Sequence, residues 1–378
     1  MERSADVVVI GGGQAGLTVG HYLAKQGLNF VILEGHDRIG ESWRRRWDTL
    51  RVFTRARYDG LPGMPFPAPP DSFPTKDDVA DYLETYAREM RLPVELGVRV
   101  ERLVRTENES KFTVLADERR FRAGQVVVAT GGYSEPQIPA FAGELNGEVL
   151  QLHSSEYGRA AQLRPGAVLV VGAGNSGGEI AYSAAAEHET WLVGRDTGQM
   201  PWDINGTVAR LIDPPFWFLI YHVLTVGTPM GRRAVPSALA HGTPLERVRK
   251  ADLVNAGVKR IYARATGSHD GLPQLADGQV LDVANVVWAT GFRHDYPWID
   301  LPRPVIGEDG MPMHERGVST VAPGLYFVGL PFQYSLASSL MGGVGRDARY
   351  VVDRIAETVK RRAGQESATR PDYTVMAE

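Results

Sequence analysis

A glycine-rich turn of the form GxGxxG occurs twice in this chain, each time between an apolar run and a segment with helical spacing. The first copy is VVVIGGGQAGLTVG, residues 7–20, and the second is VLVVGAGNSGGEIA, residues 168–181. In such a turn the first glycine permits the tight bend, the second lets backbone N–H groups approach a pyrophosphate, and the third lets helix and strand pack closely. The repetition predicts two dinucleotide-binding units.

The residue at the end of the next apolar run differs between the two copies. NFVILEG ends its run at Glu34 and TWLVGRD at Arg195, and both residues lie 23 positions beyond the first glycine of their unit. An acidic side chain there accepts hydrogen bonds from a ribose 2′-OH, whereas an arginine suits the 2′-phosphate that distinguishes NADP from NAD. The sequence therefore predicts two different nucleotides.

A third repeated feature lies further along each unit. The segment VVVATGG places Thr130 119 residues after Gly11, and VVWATGF places Thr290 118 residues after Gly172. A repeat of this length predicts two similar domains rather than two isolated strand-to-helix turns.

Composition limits the classes of protein to which the chain can belong. Its 378 residues are enough for two or three domains, and a net charge of −4 does not favour nucleic acid or acidic lipid as a partner. Because there is no cysteine, disulfides, thiolate zinc sites and a CxxC redox pair are excluded. No cluster of other metal-binding residue types stands out, and we expect no metal site. The start of the chain lacks the pattern of a secretory signal, and the longest apolar run, residues 216–226, is too short to span a membrane. We therefore expect a cytoplasmic protein. These features are also compatible with a homo-oligomer.

Several segments together resemble the FAD- and NADPH-dependent monooxygenases of the flavin-containing (class B) type, most closely bacterial members related to the plant YUCCA enzymes. The likeness covers nearly the whole chain and includes both glycine turns, LPGMPFP, FPTKDDVADYLETYA, VVVATGGYSEPQIP and GLYFVGLPFQYSLASSLMGGVGRDA. It implies an α/β fold with two Rossmann-like domains, the second inserted in the first. The implied FAD-binding domain comprises residues 1–155 and 291–378, and the NADPH-binding domain comprises residues 156–290 with a helical insertion at about 206–253.

The resemblance also implies which residues contact the cofactors. It implies no obligatory catalytic side chain, because the flavin carries the chemistry. The implied FAD-binding residues are Gly11, Gly12, Gly13, Gln14, Ala15, Gly16, Glu34, Gly35, Ser42, Trp43, Arg51, Val100, Ala129, Thr130, Gly131 and Phe332. The implied NADPH-binding residues are Gly172, Ala173, Gly174, Asn175, Ser176, Gly177, Arg195, Ala289, Thr290 and Gly291. The candidates near the flavin are Thr54, Gln333 and Tyr334, and the candidates for the substrate site are Trp47, Phe332 and Tyr334.

The reaction implied by the resemblance begins with reduction of FAD by NADPH. Dioxygen then forms a C4a-(hydro)peroxyflavin, which transfers one oxygen atom to a small organic substrate while the protein excludes water. S- or N-oxidation is the leading expectation, and Baeyer–Villiger insertion and oxidative decarboxylation are the others.

Two departures from the family pattern keep other functions open. In LNGEVLQLHSSEY, Gly147, His153 and Tyr157 match the identifying motif, but Leu145 replaces its phenylalanine and two extra residues precede the histidine. Thr54 is followed by arginine where the family has asparagine. The alternatives are an NADPH:acceptor reductase of the quinone or ferredoxin type, an NADPH oxidase without a stable peroxyflavin, and a nucleotide-bound redox sensor without turnover.

The segment DPPFWFLIYHVL, residues 213–224, is unusually rich in aromatic residues. We favour an additional helix buried against its own domain. The alternative is a lid, or an apolar surface for an apolar substrate.

Overall fold

The computed structural model describes residues 2–106, 109–133, 135–240 and 244–368. Within these ranges, four short helical turns accompany the elements named below, three of them 3₁₀ (Ala56–Tyr58, Ala140–Glu144 and Ala160–Gln162) and one π-helical (Leu219–Val223). The strands are β1 (Glu2–Ile10), β2 (Phe30–Leu33), β3 (Val94–Glu95), β4 (Arg102–Val104), β5 (Phe112–Ala116), β6 (Arg119–Val128), β7 (Glu135–Pro136), β8 (Leu150–His153), β9 (Val168–Val171), β10 (Thr190–Val193), β11 (Lys259–Ile261), β12 (Ala265–His269), β13 (Leu272–Leu275), β14 (Asn285–Trp288), β15 (Phe292–Arg293), β16 (Ile299–Asp300), β17 (His314–Glu315), β18 (Val318–Ser319) and β19 (Leu325–Phe327). The helices are α1 (Gln14–Lys25), α2 (Glu41–Arg44), α3 (Lys76–Glu89), α4 (Asn175–Ala184), α5 (Ala209–Phe218), α6 (Pro229–Ala240), α7 (Lys250–Asn255) and α8 (Val344–Ala368).

The first sheet is built around β1, which pairs in parallel with β2 and β6, while β6 pairs in parallel with β19. Alternate residues of β1 point to opposite faces, as the two-residue period of a strand requires. Val7 and Val9 enter a core shared with α1, α3 and α8, whereas Val8 and Ile10 enter a second core with β4 and β5. Burial on both faces explains why β1 has an unbroken apolar run.

The second sheet has the order β11-β10-β9-β14-β8, and each of its pairings is parallel. Strand β9 leads through the second glycine turn into α4, as β1 leads through the first into α1. The two units are thus Rossmann-like, and the predicted fold class, with one unit inserted in the other, is confirmed.

The connections between the two units run side by side as the antiparallel pair β7 and β15. Strand β8 follows the first crossing and already belongs to the second sheet, so the predicted boundary at residue 155 falls after the first strand of that sheet. The chain returns to the first sheet at β16.

The aromatic insertion packs against the first unit, which corrects the expectation of a helix buried in its own domain. Trp217 stacks on Tyr58 with ring centroids 4.8 Å apart, and Asp213 forms an ion pair with Arg55. Beyond the π-helical turn, Val226 N donates to the Tyr334 carbonyl oxygen over 2.8 Å. Part of the segment stays outside any core, since Leu211 and Phe218 of α5 are 78% and 59% exposed.

None of the helices among the described residues is long and apolar enough to cross a membrane. The same residues contain no group of three or more histidine, aspartate or glutamate side chains arranged to hold a metal ion.

Candidate functional site

The first glycine turn is sterically closed to larger residues at two positions. Gly11 has φ +109°, and a Cβ there would lie 2.5 Å from the Ala129 carbonyl oxygen. A Cβ at Gly16 would overlap the Gly11 carbonyl oxygen. These contacts bring β1, α1 and the end of β6 together, so Ala129, predicted from the first ATG segment, lies beside the turn.

Gly13 marks the opposite situation, because a Cβ at this position would meet no protein atom within 4 Å. It is the N-cap of α1, and among the described residues no side chain caps the helix there. The first N–H groups of a helix need partners and carry partial positive charge. An open space in front of them fits a pyrophosphate.

Glu34 lies at the end of β2, directly beside this turn. Its Oε2 accepts a hydrogen bond from Gly12 N over 2.8 Å, and its Oε1 accepts one from His36 N over 2.9 Å. The carboxylate is therefore held in place as an acceptor next to the glycine turn. This placement fits the predicted contact with a ribose hydroxyl.

The second turn repeats the geometry of the first. Gly172 has φ +106°, and a Cβ at Gly172 would overlap the Ala289 carbonyl oxygen, as a Cβ at Gly177 would overlap that of Gly172. A Cβ at Gly174, the N-cap of α4, would again meet no protein atom within 4 Å. The second turn thus fits a second pyrophosphate. Ala289 lies beside it as Ala129 lies beside the first.

Arg195 follows the carboxyl end of β10, two residues beyond its last residue, and its side chain is exposed. The acidic residue that follows it, Asp196, forms an ion pair with Lys250 over 2.6 Å. That contact lowers the pKa of Asp196. Arg195 thus lies at the edge where the end of β10 adjoins the second glycine turn.

The remaining predicted cofactor residues vary in how the protein engages them. Thr290 donates to the Gln137 carbonyl oxygen, and Asn175 Oδ1 accepts from Glu246 N over 2.9 Å. The Arg51 guanidinium donates to the Phe73 carbonyl oxygen over 3.0 Å, so it is braced within the first unit. Ala15 and Ala173 are buried in the cores of the first and second unit, and Trp43 and Val100 pack against cores of the first. Gly131 and Gly291 have positive φ, and the Gly291 carbonyl oxygen faces His153. For Gln14, Gly35, Ser42, Thr130 and Ser176 the structure gives the place along the chain.

Trp47 does not line an open pocket, in contrast to the expectation for a substrate-site residue. It is 4% exposed and packs in the core of the second unit although it belongs to a loop of the first. Its Nε1 donates to Glu179 Oε2 of α4 over 3.2 Å, and Arg247 Nε donates to Glu179 Oε1 over 3.2 Å. The tryptophan thus joins the two units through the helix that follows the second glycine turn.

Gln333 braces its own loop. Its Oε1 accepts from Gly329 N over 3.1 Å, and its Nε2 donates to the Phe327 carbonyl oxygen over 2.9 Å. The adjacent Phe332 is buried with φ +51°, a left-handed conformation that is rare for an aromatic residue. These contacts hold the turn after β19 in one shape, which is a structural role for the Gln333 amide.

Thr54 and Tyr334 lie in different surroundings. Thr54 donates its hydroxyl proton to Asp59 Oδ1, and burial raises the pKa of Asp59 to about 7. The Tyr334 ring lies 4.0 Å from the Arg316 guanidinium, measured to the ring centroid, and 5.3 Å from that of Arg346. Tyr334 also contacts the insertion through its carbonyl group, so it connects the predicted flavin loop to the aromatic segment.

The recognisable part of the family motif lies at the crossing between the units. His153 Nε2 is 3.0 Å from the Gly291 carbonyl oxygen, and burial lowers the pKa of His153. Tyr157 is fully buried, and its hydroxyl donates to Ser183 Oγ over 3.2 Å. His153 thus connects the end of β8 to the segment that crosses back after β14, whereas Tyr157 connects the segment after β8 to α4 of the second unit.

Glu246 is a buried carboxyl that sequence reasoning missed. Burial, and to a lesser extent the nearby Glu179, raises its pKa to about 8. Among the described residues its Oε2 has no hydrogen-bond partner. No local pattern marks the residue, because the fold alone brings it beside α4.

Glu246→Gln is expected to stabilise the protein at alkaline pH by roughly 1–3 kcal/mol and to have little effect near pH 4.5. The folded pKa lies above that of an unfolded glutamate, so between these values the folded state binds more protons and its stability falls as pH rises. Thermal unfolding from pH 4.5 to pH 9 measures the difference. The exposed Glu308→Gln is the matched control, and an equal gain at both ends of the range would contradict the charge-based explanation.

The paired turns, with an acceptor beside one and an arginine beside the other, define a protein that binds two dinucleotides. The model of the family described as pyridine nucleotide-disulphide oxidoreductase matches residues 8–225. An uncharacterised CzcO-like oxidoreductase of Geobacillus kaustophilus is 39% identical and aligns over 94% of this chain and 99% of its own. The probable indole-3-pyruvate monooxygenase YUCCA9 of Arabidopsis thaliana is 29% identical over 77% of this chain and 76% of its own.

Among solved structures, a flavin-containing monooxygenase from Stenotrophomonas maltophilia has a TM-score of 0.74 and 26% identity, and the match covers 94% of this chain and 99% of that one. The chain belongs to the pyridine nucleotide-disulphide oxidoreductase family and, within it, to the class B flavin-containing monooxygenases, as the resemblance predicted. Since the chain has no cysteine, it has no cysteine pair for disulfide exchange.

Proposed function

We propose that this protein is an NADPH-dependent FAD monooxygenase that transfers one atom of dioxygen to a small organic substrate. The observation that carries the proposal is the duplication of one phosphate-binding geometry with opposite charge beside it: Glu34 at the first turn and Arg195 at the second. Family membership adds that a flavin and a nicotinamide coenzyme are the two nucleotides.

We assign FAD to the unit of the first sheet and NADPH to the unit of the second. In the first unit, the open N-terminus of α1 would receive the pyrophosphate and Glu34 the ribose. In the second, the N-terminus of α4 would receive the pyrophosphate and Arg195 the 2′-phosphate. The bound flavin supplies the redox and oxygen chemistry.

The tasks of the chain itself are then binding, orientation and exclusion of water. Trp47 of the first unit donates to Glu179 of α4, so it holds α4 against the first unit and would thereby set the two nucleotides relative to each other. Arg247 of the second unit binds the same carboxylate and keeps it in place. Gln333 holds the turn after β19, and the insertion covers part of this loop through Tyr334. The substrate class that we propose is a soft nucleophile oxidised at sulfur or nitrogen, with a carbonyl compound as the alternative.

The stoichiometry of the reaction tests the proposal. With a thioether or amine substrate, we expect about one oxygenated product per NADPH and per O₂ consumed, with little hydrogen peroxide released. Oxygen electrode, NADPH absorbance, product chromatography and a peroxide assay measure the four quantities. Release of one hydrogen peroxide per NADPH with every substrate would identify an oxidase. Transfer of electrons to a quinone or ferredoxin in the absence of oxygen would identify a reductase. A protein that consumes no NADPH with any acceptor would be a sensor.

A further inference from the structure

Arg260 joins the ends of two neighbouring strands of the second sheet. It lies in β11, where it pairs in register with Leu192 of β10. Its Nη1 donates to the Leu192 carbonyl oxygen over 3.0 Å and to that of Ile261. Its Nη2 donates to the Gly194 carbonyl oxygen over 2.6 Å and to that of Arg195 over 3.2 Å. One guanidinium therefore meets four carbonyl groups at the edge where Arg195 lies.

The backbone that Arg260 holds lies beside the second glycine turn. Gly194 has φ +130°, a conformation that favours glycine, and a Cβ there would lie 3.5 Å from both Ala173 N and Gly172 Cα. The position of Arg195 relative to the open space before α4 thus depends on this short segment. The segment is held by Arg260 on one side and by the glycine turn on the other.

Electrostatics gives Arg260 a second role at the same edge. Carbonyl oxygens carry partial negative charge, and a cluster of them would oppose an approaching phosphate. The Arg260 guanidinium compensates the partial negative charge of these oxygens. The carboxylate of Asp196, next to Arg195, forms an ion pair with Lys250. The Tyr262 ring lies against the guanidinium, with its centroid 4.4 Å from Arg260 Cζ.

We propose that Arg260 is a positioning residue for recognition of a nucleotide 2′-phosphate, acting by holding Arg195 in place and neutralising the carbonyl cluster beneath it. The inference rests on the proposed assignment of NADPH to the second unit. It deepens that assignment, because discrimination between NADPH and NADH would then depend on two arginines: Arg195, which lies just beyond β10 and would touch the coenzyme, and Arg260 in β11, which would not.

The test uses the FAD-loaded enzyme and calorimetric titration with two fragments, 2′,5′-ADP and 5′-AMP. Arg260→Met keeps an unbranched chain but removes every donor, and we expect at least a tenfold loss of affinity for 2′,5′-ADP with less than a threefold change for 5′-AMP. Arg260→Lys, which retains the charge but cannot reach four carbonyls, should show an intermediate loss and covers the case in which the methionine variant does not fold. Lys259→Met is the matched control, because Lys259 on the same strand pairs with Glu189 and contacts none of these carbonyls.

A double variant distinguishes two explanations for an effect of Arg260: that it positions Arg195, or that it only adds positive charge to the site. If Arg260 acts through Arg195, combining Arg260→Met with Arg195→Ala should weaken 2′,5′-ADP binding by less than the product of the two single effects. Full multiplicativity, unchanged 2′,5′-ADP affinity in both Arg260 variants, or an equal loss for both fragments would overturn the inference. If Arg195→Ala also leaves the preference for 2′,5′-ADP unchanged, the assignment of NADPH to the second unit fails. If Arg195→Ala lowers the affinity for 2′,5′-ADP and the Arg260 variants do not, that assignment stands and only the role of Arg260 is rejected.

Discussion

Gly174→Ala is expected to weaken NADPH binding by about 10- to 100-fold while the protein keeps its fold. A Cβ at this position meets no protein atom within 4 Å and φ is −79°, so the folded chain tolerates alanine. The same methyl group would project into the space before the N-terminus of α4, where the pyrophosphate must approach the backbone. Anaerobic flavin reduction at a series of NADPH concentrations measures the loss, and thermal unfolding measures the stability.

Two further glycines provide the controls for this prediction. Gly177→Ala places a Cβ against the Gly172 carbonyl oxygen, so it should lower the unfolding temperature as well as NADPH binding. Gly13→Ala is the equivalent of Gly174→Ala in the first turn and should reduce retention of FAD in a folded protein. Normal NADPH affinity in the Gly174 variant would refute the assignment of the second turn to the coenzyme.

Arg195→Ala is expected to weaken NADPH binding selectively. Loss of a hydrogen bond between charged partners costs about 1.5–3 kcal/mol, which corresponds to roughly 10- to 150-fold in affinity. NADH has no 2′-phosphate, so its affinity should change by less than about threefold. Flavin reduction under anaerobic conditions with each coenzyme gives both constants without interference from oxygen.

The matched control for Arg195→Ala is Arg303→Ala, which removes one positive charge from an exposed position of the first unit. It should leave both coenzymes unaffected. An equal loss of NADPH and NADH affinity in the Arg195 variant would indicate a general disturbance of the β10 end. An unchanged NADPH affinity would contradict the role inferred from the 23-residue spacing.

The parts of the site that could be predicted from the sequence are those that depend on local sterics and short spacing. Gly11 and Gly16 are confined by contacts of the turn with itself and with the adjoining strand end, and the same holds for Gly172 and Gly177. Glu34 follows the next strand of its unit at a distance that the length of α1 sets. Such features repeat in both copies because the turn between strand and helix makes the same close backbone contacts in each unit.

The roles of Trp47 and Gln333 could not be predicted in this way. An aromatic residue in a loop near a cofactor-binding turn is compatible with a substrate pocket, but Trp47 instead enters the core of the other unit and meets Glu179, 132 positions away. Gln333 is polar and belongs to a predicted flavin loop, yet both ends of its side-chain amide form hydrogen bonds with the surrounding backbone. Likewise, the hydrophobicity of α5 indicates that it packs somewhere and does not indicate against which unit.

The sequence by itself determined that two nucleotide-binding turns exist, and it distinguished them by the charge of one residue in each. Both properties are encoded within about 25 consecutive residues, where chain connectivity fixes the geometry. Only the tertiary structure decided what surrounds them. Arg260 reaches the carbonyls of Leu192 and Arg195, 68 and 65 positions earlier, because parallel pairing places β11 beside β10. Contacts of this kind depend on the arrangement of strands in the sheet, which no short stretch of sequence contains.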